Sequence, residues 1–361
     1  MITLTGPQDF TTRLALATLA GKPVRIINIR SDDQNPGLRD FEITFLRVLE
    51  GITNGSVIEI SYTGTSVIYK PGLIIGGSHT FNCPLSRGVG YFVEPLLLLA
   101  PFGKKPLTVT LNGITSPVDD LDISVDAIRT VLFPALVKFG IERSELRIVR
   151  RGSAPKGGGQ VVLSMPSQIL QPKTLHATDQ ISINKIRGIA YSTRVSPTAV
   201  NRVVDRAREV LKASDVDTYI YSDVTKGEEN GLSPGFGVTL VAETKTGWPV
   251  GAQATAAQGT IPEDLGELAA KRLFREIAMR GCMGRLELPM TVVLMTLGSE
   301  DLGRVLVGTE QVDSRLVQLL KDIAEFWPNT HAVFKNERDE HGNMTMLMKG
   351  TGFVNANKKI A

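Results

Sequence analysis

Basic residues beside a run of glycines mark the stretch of this chain whose residue types could bind a phosphate or a carboxylate. Arg150 and Arg151 follow a predicted strand, and Lys156 precedes three consecutive glycines, 157–159. Glycine reaches backbone angles closed to other residues and lets another chain or a phosphate come close. A second strand, 160–165, would complete a hairpin. The alternative is a hairpin whose glycines only relieve a bulge while the charges are solvated.

Further arginines stand at predicted turns and helix ends and not on continuous helix faces. An arginine can hold a phosphate or carboxylate through two parallel hydrogen bonds. If the folded chain brings these turns together, they would form a surface that binds an anion or a partner. The alternative is that the arginines are scattered and solvated, since exposed charges contribute little energy. The residues assigned to the surface are Arg13, Arg39, Arg87, Arg150, Arg151, Lys156 and Arg315.

Arg315 is the most specific member of this set. Asp313 or Ser314 is suited to cap a long helix, which places Arg315 in its first turn. The N–H groups of a first turn lack partners within the helix and attract an anion. On the helical wheel Arg315 lies at the edge of the apolar stripe, so its guanidinium group should reach the cleft beside the helix.

Established catalytic and metal-binding motifs are missing from the sequence. It contains no Walker loop, dinucleotide fingerprint, metalloprotease motif or nucleophile elbow. The acidic run 119–122 could hold a metal, but such carboxylates more often favour the N-terminal dipole of a following helix. Cys83 and Cys282 lie too far apart for a disulfide framework or a zinc site. We therefore predict neither a cofactor nor a metal.

The composition is that of a soluble globular protein. The 361 residues are enough for two domains, and 42% are hydrophobic against 21% charged. A net charge of +3 permits a local basic patch but does not by itself indicate nucleic-acid binding. The start of the chain lacks the pattern of a signal peptide, and the longest apolar stretch, 91–102, is too short to span a bilayer. We expect no membrane partner.

The elements that would position these residues recur along the chain. The order helix–strand–helix–strand–strand is predicted within residues 11–70, again within 91–165, and a third time within 287–349. Between the second and third copies, Ser196 caps a helix that reaches Lys212, and a capping box at Thr260 opens another. Strands 216–222 and 237–244 lie between these two helices. We interpret 183–279 as an inserted α+β domain.

Three such units with a smaller domain before the third resemble the RNA 3′-terminal phosphate cyclase family, over nearly the whole chain. The matching motifs are Asn-Pro-Gly-Leu-Arg at 35–39, Arg-Gly-Ser-Ala-Pro-Lys-Gly-Gly-Gly-Gln at 151–160 and Gly-Cys-Met at 281–283. In its details the chain is most similar to the non-catalytic, cyclase-like branch. The fold class that we assign is α+β. Three repeated units, each of two helices and a four-stranded sheet, form a large domain (1–182 plus 280–361), with 183–279 as the insert.

Two departures from the cyclases concern their active site. A cyclase uses a histidine that takes up AMP, because a neutral imidazole can attack a phosphoryl group and then leave. The resemblance places that histidine where this chain has Arg315, and a guanidinium group stays protonated. The cyclases' glycine-rich N-terminal segment is also replaced, by residues 5–13. The resemblance therefore implies a cyclase fold without cyclase chemistry.

The resemblance further implies a ribosome-biogenesis factor of the small-subunit processome in the nucleolus. Its implied partners are pre-ribosomal RNA and a ribosome-biogenesis GTPase, and it would not be an enzyme. One alternative is a pre-rRNA endonuclease in the same cleft, which would need a general base or a metal. The sequence offers only unclustered carboxylates for that role, Asp40, Glu42 and Asp313. An active cyclase with a relocated nucleophile is a weaker alternative.

Overall fold

The computed structural model describes residues 1–224, 230–336 and 342–358. Its first unit is a four-stranded sheet in the order β1-β2-β5-β4, with a separate short pair, β3 and β6, beside it. Two helices, α1 and α2, connect the strands. The bounds are β1 Ile2–Thr5, α1 Phe10–Ala20, β2 Val24–Ile27, α2 Asp40–Ile52, β3 Thr53–Asn54, β4 Val57–Ile60, β5 Val67–Lys70 and β6 Leu73–Ile74.

The second unit has a sheet in the order β7-β8-β10-β9. Its elements are β7 Gly77–Asn82, α3 Gly90–Leu99, β8 Leu107–Gly113, α4 Val125–Ala127, α5 Phe133–Lys138, β9 Glu145–Arg150 and β10 Gly159–Met165. A π-helical turn, Ile128–Leu132, joins α4 to α5. Ser124 caps this helix, because its Oγ accepts a hydrogen bond from the backbone N–H of Ala127 at 3.0 Å.

The fourth sheet of the chain lies between the second and third units and has the order β13-β12-β14-β15. Its elements are β12 Ile183–Thr193, α6 Pro197–Leu211, β13 Thr218–Val224, β14 Gly235–Thr244, β15 Pro249–Thr255 and α7 Pro262–Ala278. Ser196 caps α6 as expected. The capping box predicted at Thr260 does not form, since α7 begins after Ile261 with no side-chain cap. Part of the loop predicted at 227–235 lies outside the described residues.

The third unit has the sheet order β11-β16-β18-β17. Its elements are β11 His176–Ala177, α8 Leu288–Thr296, β16 Leu302–Val307, α9 Ser314–Phe326, β17 Ala332–Asn336 and β18 Met344–Lys349. The carboxylate of Asp313 accepts the backbone N–H of Leu316 at 2.9 Å, which makes Asp313 the cap of α9. Arg315 is thus in the first turn.

The sheets of the three units share one strand order and one pairing pattern. In each, the first two strands run parallel and the others pair antiparallel. The α+β fold class is confirmed. The predicted element order lacked the opening strand of each unit, β1, β7 and β11. β1 and β11 are too short to give a clear pattern, and β7 is mostly polar, so none of the three is readily identified as a strand in sequence.

The helices of the three units pack against one another in a shared core. Leu14 of α1, Leu96 of α3, Leu294 of α8 and Ile323 of α9 all belong to it. The fourth sheet and its two helices have a separate cluster of buried residues, but Trp248 of that segment is buried in the shared core. The boundaries 183–279 of the inserted domain stay a prediction. None of the described helices is long and apolar enough to cross a membrane.

Candidate functional site

A cavity of about 880 Å³ opens where the three units meet the fourth sheet. The first residues of five helices contribute to its wall, and the inserted segment closes it with Gln253, Arg272 and Glu276. Unsatisfied N–H groups and the helix dipole make such N-terminal ends favourable for an anion. The helix residues concerned are Phe10 of α1, Phe41 and Glu42 of α2, Tyr91 of α3, Leu288 of α8, and Arg315 of α9.

Arginine–carboxylate ion pairs form the part of the cavity wall that belongs to the first two units. Arg30 donates two hydrogen bonds of 2.8 Å to the buried carboxylate of Glu42. Glu42 also accepts the backbone N–H of Arg39 at 2.8 Å. Arg87 donates to Asp122 at 2.7 Å and lies over the ring of Tyr91, 4.4 Å from its centroid. These charges already have partners, so they shape the wall before any ligand arrives.

Two more pairs tie the inserted segment to the cavity. Arg272 donates to Asp120 at 2.7 Å and to the carbonyl of Gln253 at 2.8 Å. Arg285 donates through its Nε to Glu276 at 2.8 Å. The closing side of the cavity is therefore held by ion pairs from α7 and the segment after it.

Arg315 lies in the cavity wall and is exposed. Its side chain has no hydrogen-bond or ion-pair partner among the residues that the structure describes. It faces two carboxylates, those of Asp9 and Glu94. Burial raises the pKa of Asp9, and it raises the pKa of Glu94 to about 6, while the positive charge of Arg315 opposes both shifts. The expectation that this guanidinium group reaches the cleft is met.

Two segments far apart in sequence meet just before the start of α9. Gln311 is buried and donates to the carbonyl of Met283 at 2.6 Å, while its oxygen accepts the N–H of Gly308 at 2.8 Å. A Cβ on Gly281 would stand 2.2 Å from that same oxygen. Glycine at 281 therefore lets the Gly-Cys-Met segment pack against Gln311, in the turn that precedes α9.

The structure corrects the expectation for Arg13. Its guanidinium group is buried and donates to Asp322 of α9 at 2.7 Å, and to the carbonyls of Thr5 and Gly6 at 3.1 and 2.9 Å. Arg13 thus joins the first unit to the third and does not line the cavity. A pair 309 residues apart leaves no local pattern in the sequence.

Arg151 is corrected in the same way. It is buried, donates to both oxygens of Asp126 at 2.7 and 2.9 Å and to Asp223 at 2.7 Å, and lies 4.5 Å above the ring of Tyr191. Its bonds join the second unit to β13. Sequence reasoning had treated this guanidinium group as exposed.

Two of the three glycines of the hairpin, Gly157 and Gly158, contact the inserted segment, whereas Gly159 packs within the second unit. The carbonyl of Gly157 accepts the N–H of Leu232 at 2.8 Å, and a Cβ on Gly158 would stand 2.7 Å from Leu232 Cγ. Gly157 and Gly158 also have positive φ angles, 60° and 78°. The pairing register shifts between Gln160 and Val161, as the alternative with a bulge anticipated. The close approach is therefore to another part of the same chain.

Of the remaining predicted site residues, only Arg87 shares the cavity with Arg315. Arg39 bonds to the carbonyl of Asn35 at 2.7 Å and to Asp33 at 3.1 Å. Arg150 and Lys156 are exposed on the hairpin, outside the cavity wall. Anion or partner binding at these positions stays a prediction. Sequence reasoning missed the cavity residues Arg30, Glu94, Arg272 and Arg285.

Two carboxylates of the acidic run 119–122 form ion pairs. Asp122 holds Arg87 and accepts the N–H of Gly88 at 2.6 Å, and Asp120 holds Arg272. Within the described ranges, no group of three or more His, Cys, Asp or Glu side chains is arranged to hold a metal ion.

Comparison with known proteins identifies the family of this chain. The model of the RNA 3′-terminal phosphate cyclase family matches residues 2–333. The chain belongs to the RNA 3′-terminal phosphate cyclase family. It is 49% identical to the rRNA processing protein RCL1 of Saccharomyces cerevisiae, over 99% of this chain and 98% of that protein. It is 45% identical to the human RNA 3′-terminal phosphate cyclase-like protein, over 96% of this chain and 95% of the relative.

Membership of the cyclase family accounts for the motifs found in the sequence. In this member, the segment 35–39 forms the turn before α2, where Gly37 has a φ of 88° and a Cβ would meet the carbonyl of Thr63 at 2.4 Å. The segment 281–283 supports the start of α9. No histidine lines the cavity among the residues that the structure describes.

Proposed function

We propose that this protein is a non-enzymatic rRNA-processing factor with a cyclase fold. It acts in the nucleolus as a component of the small-subunit processome, binds pre-ribosomal RNA, and forms a complex with a ribosome-biogenesis GTPase. The names of its relatives support the processing role, since those from two yeasts are called rRNA processing proteins. The processome, the GTPase and the nucleolus rest on the family resemblance.

The observation that carries the non-enzymatic assignment is the side chain at the start of α9. The resemblance puts the nucleophilic histidine of cyclases at the position of Arg315, in the first helical turn and facing the cavity. A guanidinium group is a poor nucleophile because it stays protonated near neutral pH. Arg315 fits better as a cation that receives a carboxylate or phosphate of a partner, beside the N–H groups of the helix start.

Incubation with radiolabelled ATP tests this assignment. We expect no acid-labile AMP adduct on the wild-type protein, and none on Arg315→His, because the glycine-rich N-terminal segment of cyclases is replaced as well. Labelling of the wild type would contradict the non-enzymatic assignment. Labelling of the Arg315→His variant alone would show that only one part of the site has been lost.

Arg315 is also the expected point of partner contact. Arg315→Ala should weaken association with the GTPase or with pre-rRNA, measured by co-purification and by accumulation of unprocessed pre-rRNA. A charge-assisted contact contributes about 1.5–3 kcal/mol, so the affinity should fall by roughly 10- to 100-fold. The exposed Arg315 makes no hydrogen bond or ion pair with the described residues, so the melting temperature should hardly change. Unchanged binding and processing in this variant would remove Arg315 from the interface.

Cleavage of pre-rRNA in the same cavity is the second candidate, and Glu94 is the observation that favours it. A carboxyl group with a pKa of about 6 is suited to general acid–base chemistry near neutral pH. The carboxylates named from the sequence are already engaged: Glu42 with Arg30, Asp313 as a helix cap, and Asp40 with Ser86. RNA cleavage that disappears in Glu94→Gln would establish this activity, and equal rates in both proteins would exclude Glu94 as its base.

A further inference from the structure

Two tyrosines on the fourth sheet stand exposed side by side. Tyr219 and Tyr221 lie on β13 with 49% and 59% of their surface accessible to solvent. Because side chains alternate along a strand, both point to the same face, while Ile220 between them is buried on the face covered by α6 and α7. Neither tyrosine contacts another ring, a cation or a hydrogen-bond partner in the described part of the chain.

Basic side chains lie beside this pair on the neighbouring strand. In the parallel pairing of β12 with β13, Arg187 is in register with Tyr219, and Ile189 is in register with Tyr221. Lys185 lies two residues before Arg187, on the same face of β12. Lys185 and Arg187 share one carboxylate, Glu243, at 3.1 and 2.9 Å, so two cations lie beside one anion on these strands. The tyrosines are flanked by the carboxylates of Asp217, just before β13, and Asp223, within it.

In the buried part of the same sheet face, an arginine already stacks on a tyrosine. One step further along β12, Tyr191 lies under the guanidinium group of Arg151, and Asp223 of β13 anchors that group. The second unit covers the face at this point. Tyr219 and Tyr221 lie on the same face, outside the part that the second unit covers, so their rings are exposed to solvent.

We propose that Tyr219 and Tyr221 form a stacking platform for single-stranded RNA, with Arg187 and Lys185 holding its phosphates. Same-face residues of a strand lie about 6.6 Å apart, roughly twice the 3.4 Å rise of stacked bases. The two rings therefore suit two bases that are splayed apart, each stacked on its own tyrosine, which is how sheets commonly read unpaired RNA. A duplex would not fit, because its bases are stacked on each other.

This inference deepens the proposed function and rests on it only for the identity of the RNA. The platform lies on β12 and β13, and none of its four residues lines the central cavity. RNA contact at the platform and partner contact at Arg315 are thus separate events. They can be tested by separate variants.

The test is fluorescence anisotropy with a labelled single-stranded oligouridine of about 12 nucleotides, long enough to cover one binding module. The double variant Tyr219→Ala/Tyr221→Ala should lose affinity by about 10-fold for each ring removed. The double variant Tyr219→Phe/Tyr221→Phe should bind like the wild type, because the ring and not the hydroxyl group is used. Tyr62→Ala is the matched control, since Tyr62 is a fully exposed tyrosine of the first unit.

Salt and competition sharpen the result. Arg187→Ala should weaken binding and make the dependence of affinity on salt shallower, since one phosphate contact is lost. An RNA duplex should compete poorly for the same probe. The proposal is overturned if the double Ala variant binds the probe like the wild type, if the Phe pair loses affinity as the Ala pair does, or if the duplex competes equally.

A protein ligand is the rival occupant. If the double Ala variant keeps wild-type RNA affinity but loses affinity for a proline-rich peptide, the face is a peptide site and the proposal is wrong. The proposed function fails by a different result: pre-rRNA processing that is normal in cells depleted of the protein. Loss of RNA affinity in the double Ala variant supports the platform whatever that second experiment shows.

Discussion

The guanidinium groups of Arg13 and Arg151 lie in the interior, whereas those of Arg150 and Arg315 reach solvent. The side chain of Arg151 is only 4% exposed and pairs with Asp126 and Asp223. Those carboxylates and their hydrogen bonds raise the pKa of Arg151 against the opposing effect of burial, which is the largest single influence on it. An internal cation of this kind contributes to the fold because its removal leaves a carboxylate buried without a partner.

Arg151→Ala should therefore destabilise the protein. Removing one partner of a buried pair costs about 3–5 kcal/mol, and Asp126 would be left fully buried without its counter-charge. Urea denaturation followed by circular dichroism measures the change. Arg150→Ala is the matched control, since an exposed charge contributes less than about 1 kcal/mol. Equal stabilities of the two variants would contradict the internal role of Arg151.

At the scale of the elements, the junction between α7 and α8 carries a buried carboxyl group. Glu287 precedes α8, is inaccessible to solvent, and accepts the N–H of Gly284 at 2.6 Å through one oxygen. Its other oxygen has no hydrogen-bond partner among the described residues. Burial raises the pKa of Glu287 to about 8 from an ordinary value of 4.5, and the nearby Glu276 adds to the shift. The junction is therefore sensitive to pH.

Glu287 should make the protein less stable as the pH rises from about 4.5 to about 8. In that range the folded state holds a proton that the unfolded state has released, so each pH unit costs up to about 1.4 kcal/mol. Glu287→Gln keeps the accepting oxygen and cannot ionise. We expect it to be more stable than the wild type at pH 8 by a few kcal/mol, and equally stable near pH 4.

Melting temperatures across this pH range give the measurement, with Glu145→Gln as the control. Glu145 lies exposed on β9, so the same substitution there should leave the pH profile of the wild type unchanged. Parallel profiles for Glu287→Gln and the wild type would mean that Glu287 is ionised in the folded protein.

At the scale of the whole molecule, the fourth sheet has a buried cluster of its own and also contributes a residue to the core of the three units. Its two helices bury a cluster of their own, which includes Val203, Leu240 and Leu273. Trp248, however, is buried in the core of the three units, and a Cβ on Gly251 would stand 2.5 Å from a methyl group of Val131. The segment is packed closely against the second unit.

Residues 183–279 expressed alone should fold, because their buried cluster does not use the rest of the chain. Deleting them and joining the flanks should leave a folded three-unit body with a lower melting temperature, since Trp248 leaves its core and Val131 becomes exposed. Near-UV circular dichroism reports on the body through Trp327, and the dispersion of amide signals in an NMR spectrum reports on the fragment, whose Trp248 has lost its buried surroundings. A molten spectrum for either piece would mean that 183–279 is not an independent domain.

Features set by neighbours within one turn of chain were predictable from the sequence. The cap Ser196 acts on a backbone group two residues away, so its residue type and spacing were sufficient to find it. Asp313, one of the two caps that the sequence allowed for α9, acts three residues away. The apolar stripe of α9 follows the same local rule and identified the face that packs inward. Position in that stripe also indicated that Arg315 reaches the cavity.

Features set by distant partners were decided only by the tertiary structure. Arg13 and Arg151 look like surface arginines until Asp322 and Asp126 are brought against them, and the opening strands β1, β7 and β11 exist because a neighbouring strand offers them hydrogen bonds. The exposed tyrosines of β13 were equally invisible, since alternation alone does not tell which part of a sheet face another unit will cover. Charge pairing and burial depend on what the folded chain places nearby, and residue type by itself does not carry that information.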